Sequence, residues 1–397
     1  MKHDVLNASM EPKHQKHAAL ARPDLGEFGR HELGILGAPC GVIKDLAARL
    51  LPLLTPALRV AYIDADHAAG DEAADGGAGG ADAILQAGAA AELTDKIHFR
   101  RLDLRRGMDK FIQPQWLNEQ SLVLVNGNHF RARQQVVIID PRKPLDKKLD
   151  RLTDVRLVLL SEGQTELPAV LRNHLPNAAE VPVLPLADTD AIAAWAQQWL
   201  REQQPPLRGL VLTGGRSQRM QQDKSRLRYH QREQREHAAA LLAPLCQDVL
   251  ISCRPDQAAD VPAGLTALPD QFLDLGPMSG LLTAFRHDPN AAWLVVACDL
   301  PFLTEATLRH LVQHRHAGRV ATAFQSPDNE FPEPLITIWE PRSYPVLLQF
   351  LALGYSCPRK ALINSDIELL PAPAPQELRN VNTPAERAAA QQELGIR

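Results

Sequence analysis

The chain has 397 residues, of which 45% are hydrophobic and 23% are charged, so it is long enough to form two domains with substantial cores. Its 43 basic residues nearly balance its 47 acidic residues, and the net charge of -4 argues against a dedicated nucleic-acid or membrane-surface binder. Five widely spread cysteines form no CxxC pair, which disfavours a zinc site or a disulfide framework and favours a reducing cytoplasm.

The first thirty residues form a polar segment without an apolar stretch of signal-peptide length. No later window approaches the roughly 18 apolar residues that a membrane span needs. We therefore expect residues 1–30 to be a disordered or extended arm on a cytoplasmic protein that does not enter a membrane.

Residues 31–204 alternate apolar, β-rich runs with helical periodicity, which is the pattern of parallel strands covered by helices. The predicted strands are Leu33–Leu36, Val60–Ile63, Leu122–Val125, Val136–Ile139 and Arg156–Leu160, and the first predicted helix is Ile43–Leu54. A polar helix then runs into Pro205 and Pro206, and a residue that precedes proline resists the helical conformation. A domain boundary is therefore predicted near residue 205.

Residues 207–397 repeat this α/β pattern and predict a second doubly wound domain. Its predicted strands are Leu207–Thr213, Asp248–Cys253, Trp293–Cys298, Val320–Phe324 and Pro334–Trp339, with helices near 234–243, 278–286, 304–314 and 343–353. Ligands of such sheets bind at the carboxyl ends of the strands. The residues that follow the first three strands are therefore the candidates for a site.

The first of these strands is followed by two glycines and a basic segment, in the string LTGGRSQRMQQDK from Leu212 to Lys224. Two glycines permit positive φ and a close approach of backbone N–H groups to phosphate, and Arg219 and Lys224 can neutralise its charge. Residues 216–237 hold seven Arg or Lys against three acids, a local charge of +4. The alternative is a tight turn followed by a solvated basic helix.

Two more segments place polar groups toward the same predicted edge. Asp299 follows an apolar strand, where a carboxylate can hold a magnesium ion that bridges phosphates, or can cap a helix. Gly276–Gly280 places glycines where a helix begins, so its N–H groups and dipole can face a ribose or base, or can form a plain helix start.

Four signatures, in order, make the second half resemble the molybdenum cofactor guanylyltransferase (MobA) family of nucleotidyltransferases. The string from Leu212 resembles the LxGGxSxRMGxDK signature of the family. Asp270 with Gly276–Gly280 resembles its aspartate and GPLxG segment, Ala297–Phe302 its CDxPF segment, and Asn380–Pro384 its NxNTP segment. The resemblance covers roughly residues 207–397 and implies a Rossmann-like nucleotidyltransferase domain.

The resemblance implies transfer of GMP from GTP to molybdopterin with Mg²⁺, and release of pyrophosphate. It implies nucleotide binding by Leu212, Thr213, Gly214, Gly215, Lys224, Asp270 and Asp299. Arg219, Lys224 and Asp299 would be catalytic, with Asp299 on the metal. Asn380 and Asn382 would lie on the pterin side, although an Asx-turn that closes the domain explains them equally well.

Two departures from the family pattern bear on base recognition and leave other readings open. Gln221 stands where the signature has glycine, and Ile251–Arg254 lacks the usual asparagine. The pair Gly214-Gly215 favours GTP, because cytidylyltransferase relatives usually carry Ala-Gly there. The alternatives are a cytidylyltransferase, a sugar-phosphate nucleotidyltransferase, or a non-catalytic protein that delivers the cofactor.

The first half has a strand, a small-residue loop and a helix at Leu33–Lys44, the context of a phosphate-binding P-loop. Val42 or Ile43 stands where the lysine is needed, so GTP hydrolysis is not expected there. The layout resembles the P-loop adapter (MobB) family, with support from Asp64–His67 and Asn126–His129. We expect a degenerate adapter that docks onto the catalytic half or onto a molybdoenzyme.

Overall fold

The computed structural model describes residues 26–65, 85, 87–95, 97–104, 113–214 and 223–395. Most of the predicted N-terminal arm lies outside these ranges, as do Gly215, Arg219 and Gln221 of the glycine-rich string. Asp66 and His67 of the first half also lie outside them. None of the helices in the described ranges is both long and apolar enough to span a bilayer.

The first half is built on a six-stranded parallel sheet with strand order β2-β5-β1-β6-β7-β8. Its strands are β1 (His31–Leu36), β2 (Val60–Ile63), β5 (Leu122–Asn126), β6 (Gln134–Ile139), β7 (Val155–Leu160) and β8 (Val183–Pro185). A separate antiparallel hairpin is formed by β3 (Ala91–Asp95) and β4 (Arg100–Leu104). All five predicted strands are confirmed, whereas β8 and the hairpin were not predicted.

The helices of the first half are Gly26–Gly29, Cys40–Leu54, Ala169–His174 and Thr189–Glu202. Cys40–Leu54 begins three residues before the predicted start, directly after Pro39, whose φ of -52° leads the chain into the helix. Its buried face, with Ile43, Leu46 and Leu50, packs against the sheet in one core cluster. This packing fixes the N-terminus of the helix beside the carboxyl end of β1.

The second half is built on a seven-stranded mixed sheet with strand order β11-β10-β9-β12-β14-β13-β15. Its strands are β9 (Leu207–Leu212), β10 (Val249–Cys253), β11 (Thr266–Pro269), β12 (Ala292–Ala297), β13 (Ala321–Gln325), β14 (Pro332–Trp339) and β15 (Glu368–Leu370). The α/β fold is confirmed, but β14 runs antiparallel to both of its neighbours. The short connection from β13 can reverse the chain but cannot make the long crossover that a parallel pair requires.

Helices cover both faces of this second sheet. They are Gln234–Leu242, Pro277–His287, Glu305–Gln313, Ser343–Ala352, Pro358–Ile363 and Pro384–Glu393. Leu294 and Val296 of β12 face one buried cluster, while Trp293 and Val295 face the other. The near-continuous apolar run of β12 follows from this burial on both sides.

The carboxyl ends of β10, β9 and β12 lie side by side, because these three strands are parallel neighbours. Leu212, for example, pairs with both Ser252 and Ala297. The loops that follow the three strands therefore open onto one edge of the sheet, as the predicted topology required.

Candidate functional site

A cleft lies at this edge of the second sheet, and it is lined by six of the residues predicted to bind nucleotide: Leu212, Thr213, Gly214, Lys224, Asp270 and Asp299. Thr213 directly follows β9, and Asp270 directly follows β11. Asp299 stands two residues beyond the end of β12, after Cys298. The sheet thus brings together residues that are separated by more than fifty positions in the sequence.

The centre of the cleft is an ion pair between Lys224 and Asp299. The Nζ atom of Lys224 lies 3.1 Å from Oδ2 of Asp299 and donates a second hydrogen bond of 2.5 Å to Oδ1 of Asn382. Both members of the ion pair are partly buried, with side chains 18% and 17% exposed. The amide of Val381 also donates to the carbonyl of Asp299, which joins the C-terminal loop to the cleft.

The second oxygen of Asp299, Oδ1, is buried and has no hydrogen-bond partner among the described residues. A buried carboxylate oxygen normally accepts at least one hydrogen bond, because leaving it unpaired costs about 1–3 kcal/mol. The side chain therefore has spare capacity to accept a cation or a donor inside the cleft.

Asp270 occupies the opposite wall, next to Ser252 at the end of β10. The Ser252 hydroxyl donates to Oδ1 of Asp270 over 2.8 Å, and the Thr213 hydroxyl donates to the Ser252 carbonyl over 2.6 Å. Burial raises the pKa of Asp270 to about 6, although the hydrogen bond from Ser252 acts in the opposite direction. Asp270 is thus a hydrogen-bond acceptor whose charge depends on pH near neutrality.

Two glycines are required by close packing in this cleft. A Cβ atom on Gly214 would lie 3.0 Å from Oδ2 of Asp270, and one on Gly280 would lie 2.4 Å from Oγ of Ser252. Gly214 does not use the positive φ that a glycine permits, so close approach accounts for this glycine. Gly276 does adopt positive φ, at 59°, immediately before the helix that begins at Pro277.

The structure separates the two asparagines of the NxNTP segment. Asn382 lies in the cleft on Lys224, whereas Asn380 is exposed. The terminal helix is capped by Thr383, whose side chain accepts from the amide of Glu386, and the amide of Asn382 donates to the Glu386 carboxylate. Gly215 and Arg219, which were predicted to contact phosphate, lie outside the described residues.

Sequence reasoning missed two supporting residues. Ser252 was passed over because an asparagine was expected in that segment, although its place at a strand end was a usable signal. The Asp223 side chain accepts from the amide of Ser225 over 3.0 Å and from Nε2 of Gln257 over 3.0 Å. These bonds hold the short turn that presents Lys224.

The corresponding edge of the first sheet carries a different set of polar residues. The Sγ atom of Cys40, at the start of its helix, lies 3.2 Å from Nε2 of His129. Asn128 donates to the carbonyl of Ala38 over 2.9 Å and accepts from Nζ of Lys148 over 2.8 Å. These contacts tie the small-residue loop to the loop after β5.

Asp64 is the carboxylate that follows β2 at this first edge. It accepts hydrogen bonds from the Tyr62 hydroxyl at 2.7 Å, the Asn126 side chain at 2.6 Å and the Ala65 amide at 2.8 Å. Burial raises its pKa, but these hydrogen bonds outweigh burial and the pKa lies below its ordinary value. Its acceptor capacity is thus largely used within the protein.

Comparisons with known proteins match the second half of the chain. Residues 209–366 match the MobA-like NTP transferase domain. A molybdenum cofactor biosynthesis bifunctional protein from Synechocystis is 35% identical over 46% of this chain and 52% of its own length, so this chain spans about half of that relative. A molybdenum cofactor guanylyltransferase from Pseudomonas putida is 30% identical over 45% of this chain and 95% of its own length.

Two further similarities cover the same half. A probable molybdenum cofactor guanylyltransferase from Carboxydothermus hydrogenoformans is 32% identical over 44% of this chain and 90% of its own length. The crystal structure of molybdopterin-guanine dinucleotide biosynthesis protein A from Archaeoglobus fulgidus superimposes with a TM-score of 0.42 and 21% identity, over 47% of this chain and 98% of that chain.

Proposed function

This chain belongs to the molybdenum cofactor guanylyltransferase family, and we propose that it transfers GMP from GTP to molybdenum-bound molybdopterin, which yields the guanine dinucleotide cofactor and pyrophosphate. The observation that carries the proposal is the Lys224–Asp299 pair in the cleft, in which one buried carboxylate oxygen has no hydrogen-bond partner within the described ranges. The similarity covers the second half of the chain, so we assign the reaction to residues 207–397.

The reaction joins the terminal phosphate of molybdopterin to the α-phosphorus of GTP. The pterin phosphate oxygen attacks in line, and the bond from the α-phosphorus to the departing pyrophosphate breaks. Such a step is catalysed mainly by positioning and by neutralising charge, and it needs no general base. A site built from one cation, carboxylates and backbone amides is suited to that task.

Lys224 is the residue that we assign to the α-phosphate. Its ammonium group is held in the cleft by Asp299 and Asn382, so it is already oriented before the nucleotide binds. A preoriented cation stabilises the charge that develops on the phosphate oxygens without having to reorganise. The loop from Thr213 to Arg219 would bind the β- and γ-phosphates.

The residues present fit a magnesium ion. Carboxylate oxygen is a preferred ligand of Mg²⁺, and Oδ1 of Asp299 is such an oxygen, to which no described residue donates a hydrogen bond. Within the described ranges, no three His, Cys, Asp or Glu side chains form a cluster that could hold a metal unaided. Asp299 would therefore hold the ion together with substrate phosphates, whose charge the ion neutralises when it is bound.

The remaining predicted residues are assigned to recognition of the two substrates. Asp270, held by Ser252, would accept hydrogen bonds from the nucleotide. Asn382 and Asn380, on the loop that closes the cleft beside Lys224, would face the pterin. The first half, residues 31–204, would act as an adapter that contacts a molybdoenzyme. The cytoplasmic location stays a prediction.

The test is product analysis with the full chain, molybdopterin, Mg²⁺ and either GTP or CTP. We expect pyrophosphate and a guanine dinucleotide with GTP, and little turnover with CTP. Preferential turnover of CTP would show that the substrate is CTP and not GTP. If no pyrophosphate is released with either nucleotide, a protein that delivers the cofactor without catalysis would be favoured.

A further inference from the structure

A second cavity lies between the two halves of the chain, away from the nucleotide cleft. His31, Ser121 and Arg201 line it from the first half, and Arg315, His316 and Arg342 line it from the second. Its volume is about 210 Å³. One water molecule occupies about 30 Å³ in the liquid, so this space admits several waters or a small polyatomic ion.

The charged side chains of the lining are all cationic. They are three arginines, with no aspartate or glutamate beside them. Of the two histidines, His31 is neutral at pH 7, because burial and the charge of Arg342 lower its pKa to about 4. Arg315 is neutralised by Glu340, which lies behind it at 2.7 Å and is fully buried. A cationic wall in a chain whose net charge is -4 indicates a site for an anion.

Arg342 is the cation of this wall that most needs an anion. It is only 3% exposed, and its guanidinium donates to the carbonyls of Glu119 and Gly29, among others of the first half. Among the described residues, none of its hydrogen bonds or ion pairs is to a carboxylate. Burial outweighs the nearby charges of Glu340 and Asp366 and lowers the pKa of Arg342 to about 10, because a buried cation that contacts no carboxylate directly is unfavourable.

Three buried polar atoms of the lining also lack partners among the described residues: Oγ of Ser121, Nε of Arg342 and Nδ1 of His316. All three can donate a hydrogen bond, the last in one of its tautomers. Ser121 is 5% exposed, so water outside the protein does not reach its hydroxyl freely. Gly318 preserves the space, because a Cβ atom there would lie 2.6 Å from Oγ of Ser121.

We propose that this cavity binds a small oxyanion, a phosphate or a carboxylate, between the two halves. The anion would accept hydrogen bonds from Ser121, His316 and Arg342 and would neutralise the buried guanidinium. Because its ligands come from both halves, the bound anion would stabilise their packing. The site shares no lining residue with the nucleotide cleft, so it is independent of the proposed reaction.

Calorimetric titration of the full chain with inorganic phosphate, and separately with succinate, tests the proposal. The Lys224→Ala protein is used so that the nucleotide cleft contributes little to phosphate binding. We expect saturable binding to one site per chain, and the ion with the lower Kd identifies the class of ligand. Absence of saturable binding with both ions would overturn the proposal.

Two variants test where the anion binds and keep the hydrogen bonds from Arg342 to the carbonyls of the first half. Ser121→Ala should raise the Kd by about tenfold, since it removes a hydrogen bond to a charged group. Arg201→Gln should raise it by a smaller factor, since it removes one positive charge from the lining. Arg172→Gln, an exposed arginine on another helix of the same half, is the matched control and should leave the Kd unchanged. Equal affinity in all three variants would place the anion elsewhere and refute the assignment.

Discussion

The carboxyl edges of the two sheets each carry an aspartate and a lysine, but these side chains differ in how far their hydrogen-bonding capacity is used. Asp64 accepts three hydrogen bonds from neighbouring protein groups, and Lys148 is bound to Asn128. At the second edge, one buried oxygen of Asp299, next to Lys224, has no hydrogen-bond partner in the described part of the chain. Both edges are formed by the carboxyl ends of parallel strands in α/β sheets, so the ligand site is distinguished here by unpaired acceptor capacity in a cleft and not by the fold.

The largest loss of turnover is expected when Asp299 is substituted. Asp299→Asn removes the charge that would hold the metal and that orients Lys224, so turnover should fall by about 10²–10³-fold. Pyrophosphate release under saturating substrates measures it. Asp64→Asn, the matched change at the first edge, should leave turnover unchanged. A loss of similar size in both variants would remove the distinction between the edges.

Lys224→Ala should have the next largest effect. Loss of the preoriented cation should lower kcat/KM for GTP by about 10²-fold, the lower range found when one stabilising donor is removed. Lys148→Ala removes the lysine of the first edge and provides the control. If kcat/KM responds to Lys148 and not to Lys224, the phosphate site lies in the first half.

Asp270 and Asp64, which lie at the carboxyl edges of the two sheets, should affect the free energy of unfolding with opposite dependence on pH. The folded-state pKa of Asp270 is about 6, above its ordinary 3.8, so the folded protein binds more protons between these values. The free energy of unfolding should therefore fall by about 3 kcal/mol as pH rises through this window. Asp270→Asn should abolish that contribution, as denaturant unfolding of both proteins at pH 4 and pH 7 would show.

The contribution of Asp64 to the free energy of unfolding should change with pH in the opposite direction. Its pKa is lowered in the folded protein, so its contribution to stability is present above its ordinary pKa and is lost as pH falls through the folded value. Asp64→Asn should therefore destabilise the protein more at pH 7 than at pH 3. The same slope for both variants would contradict the two assigned environments.

One closely packed glycine in each half allows the two edges to be compared by substitution with alanine. A Cβ on Gly37 would lie 2.2 Å from the carbonyl oxygen of Ile138, so Gly37→Ala should cost about 1–3 kcal/mol of stability through overpacking. The folded enzyme should keep its turnover. Gly280→Ala should cost a similar amount and also raise the KM for GTP, because the new methyl displaces Ser252 beside Asp270. An unchanged KM would mean that Ser252 does not position Asp270.

Local motifs allowed most of the second site to be predicted. Asp299 stands two residues after a strand that its apolar run reveals, and Lys224 belongs to the basic string that follows another such strand. The contact from Lys224 to Asn382 spans 158 positions and depends on how the C-terminal loop folds back. An asparagine was expected in the segment of Ser252, and the bond from Ser252 to Asp270 could not be foreseen, because the strand that Asp270 follows was not predicted.

Other features depend on packing that no local pattern records. The reversal of β14 follows from a short connection whose length becomes decisive only when its neighbours in the sheet are known. The cavity at Arg342 exists because two halves meet, and its lining residues are scattered from Gly29 to Arg342. Composition and periodicity describe each half separately and contain no information on such a junction.

Calorimetric titration of the full chain with GTP and Mg²⁺ tests the central claim most directly. We expect one nucleotide per chain, binding lost in the double variant Lys224→Ala, Asp299→Asn, and binding retained in the double variant Lys148→Ala, Asp64→Asn. Binding that survives the first pair of changes and disappears with the second would contradict the assignment of the nucleotide to the second sheet.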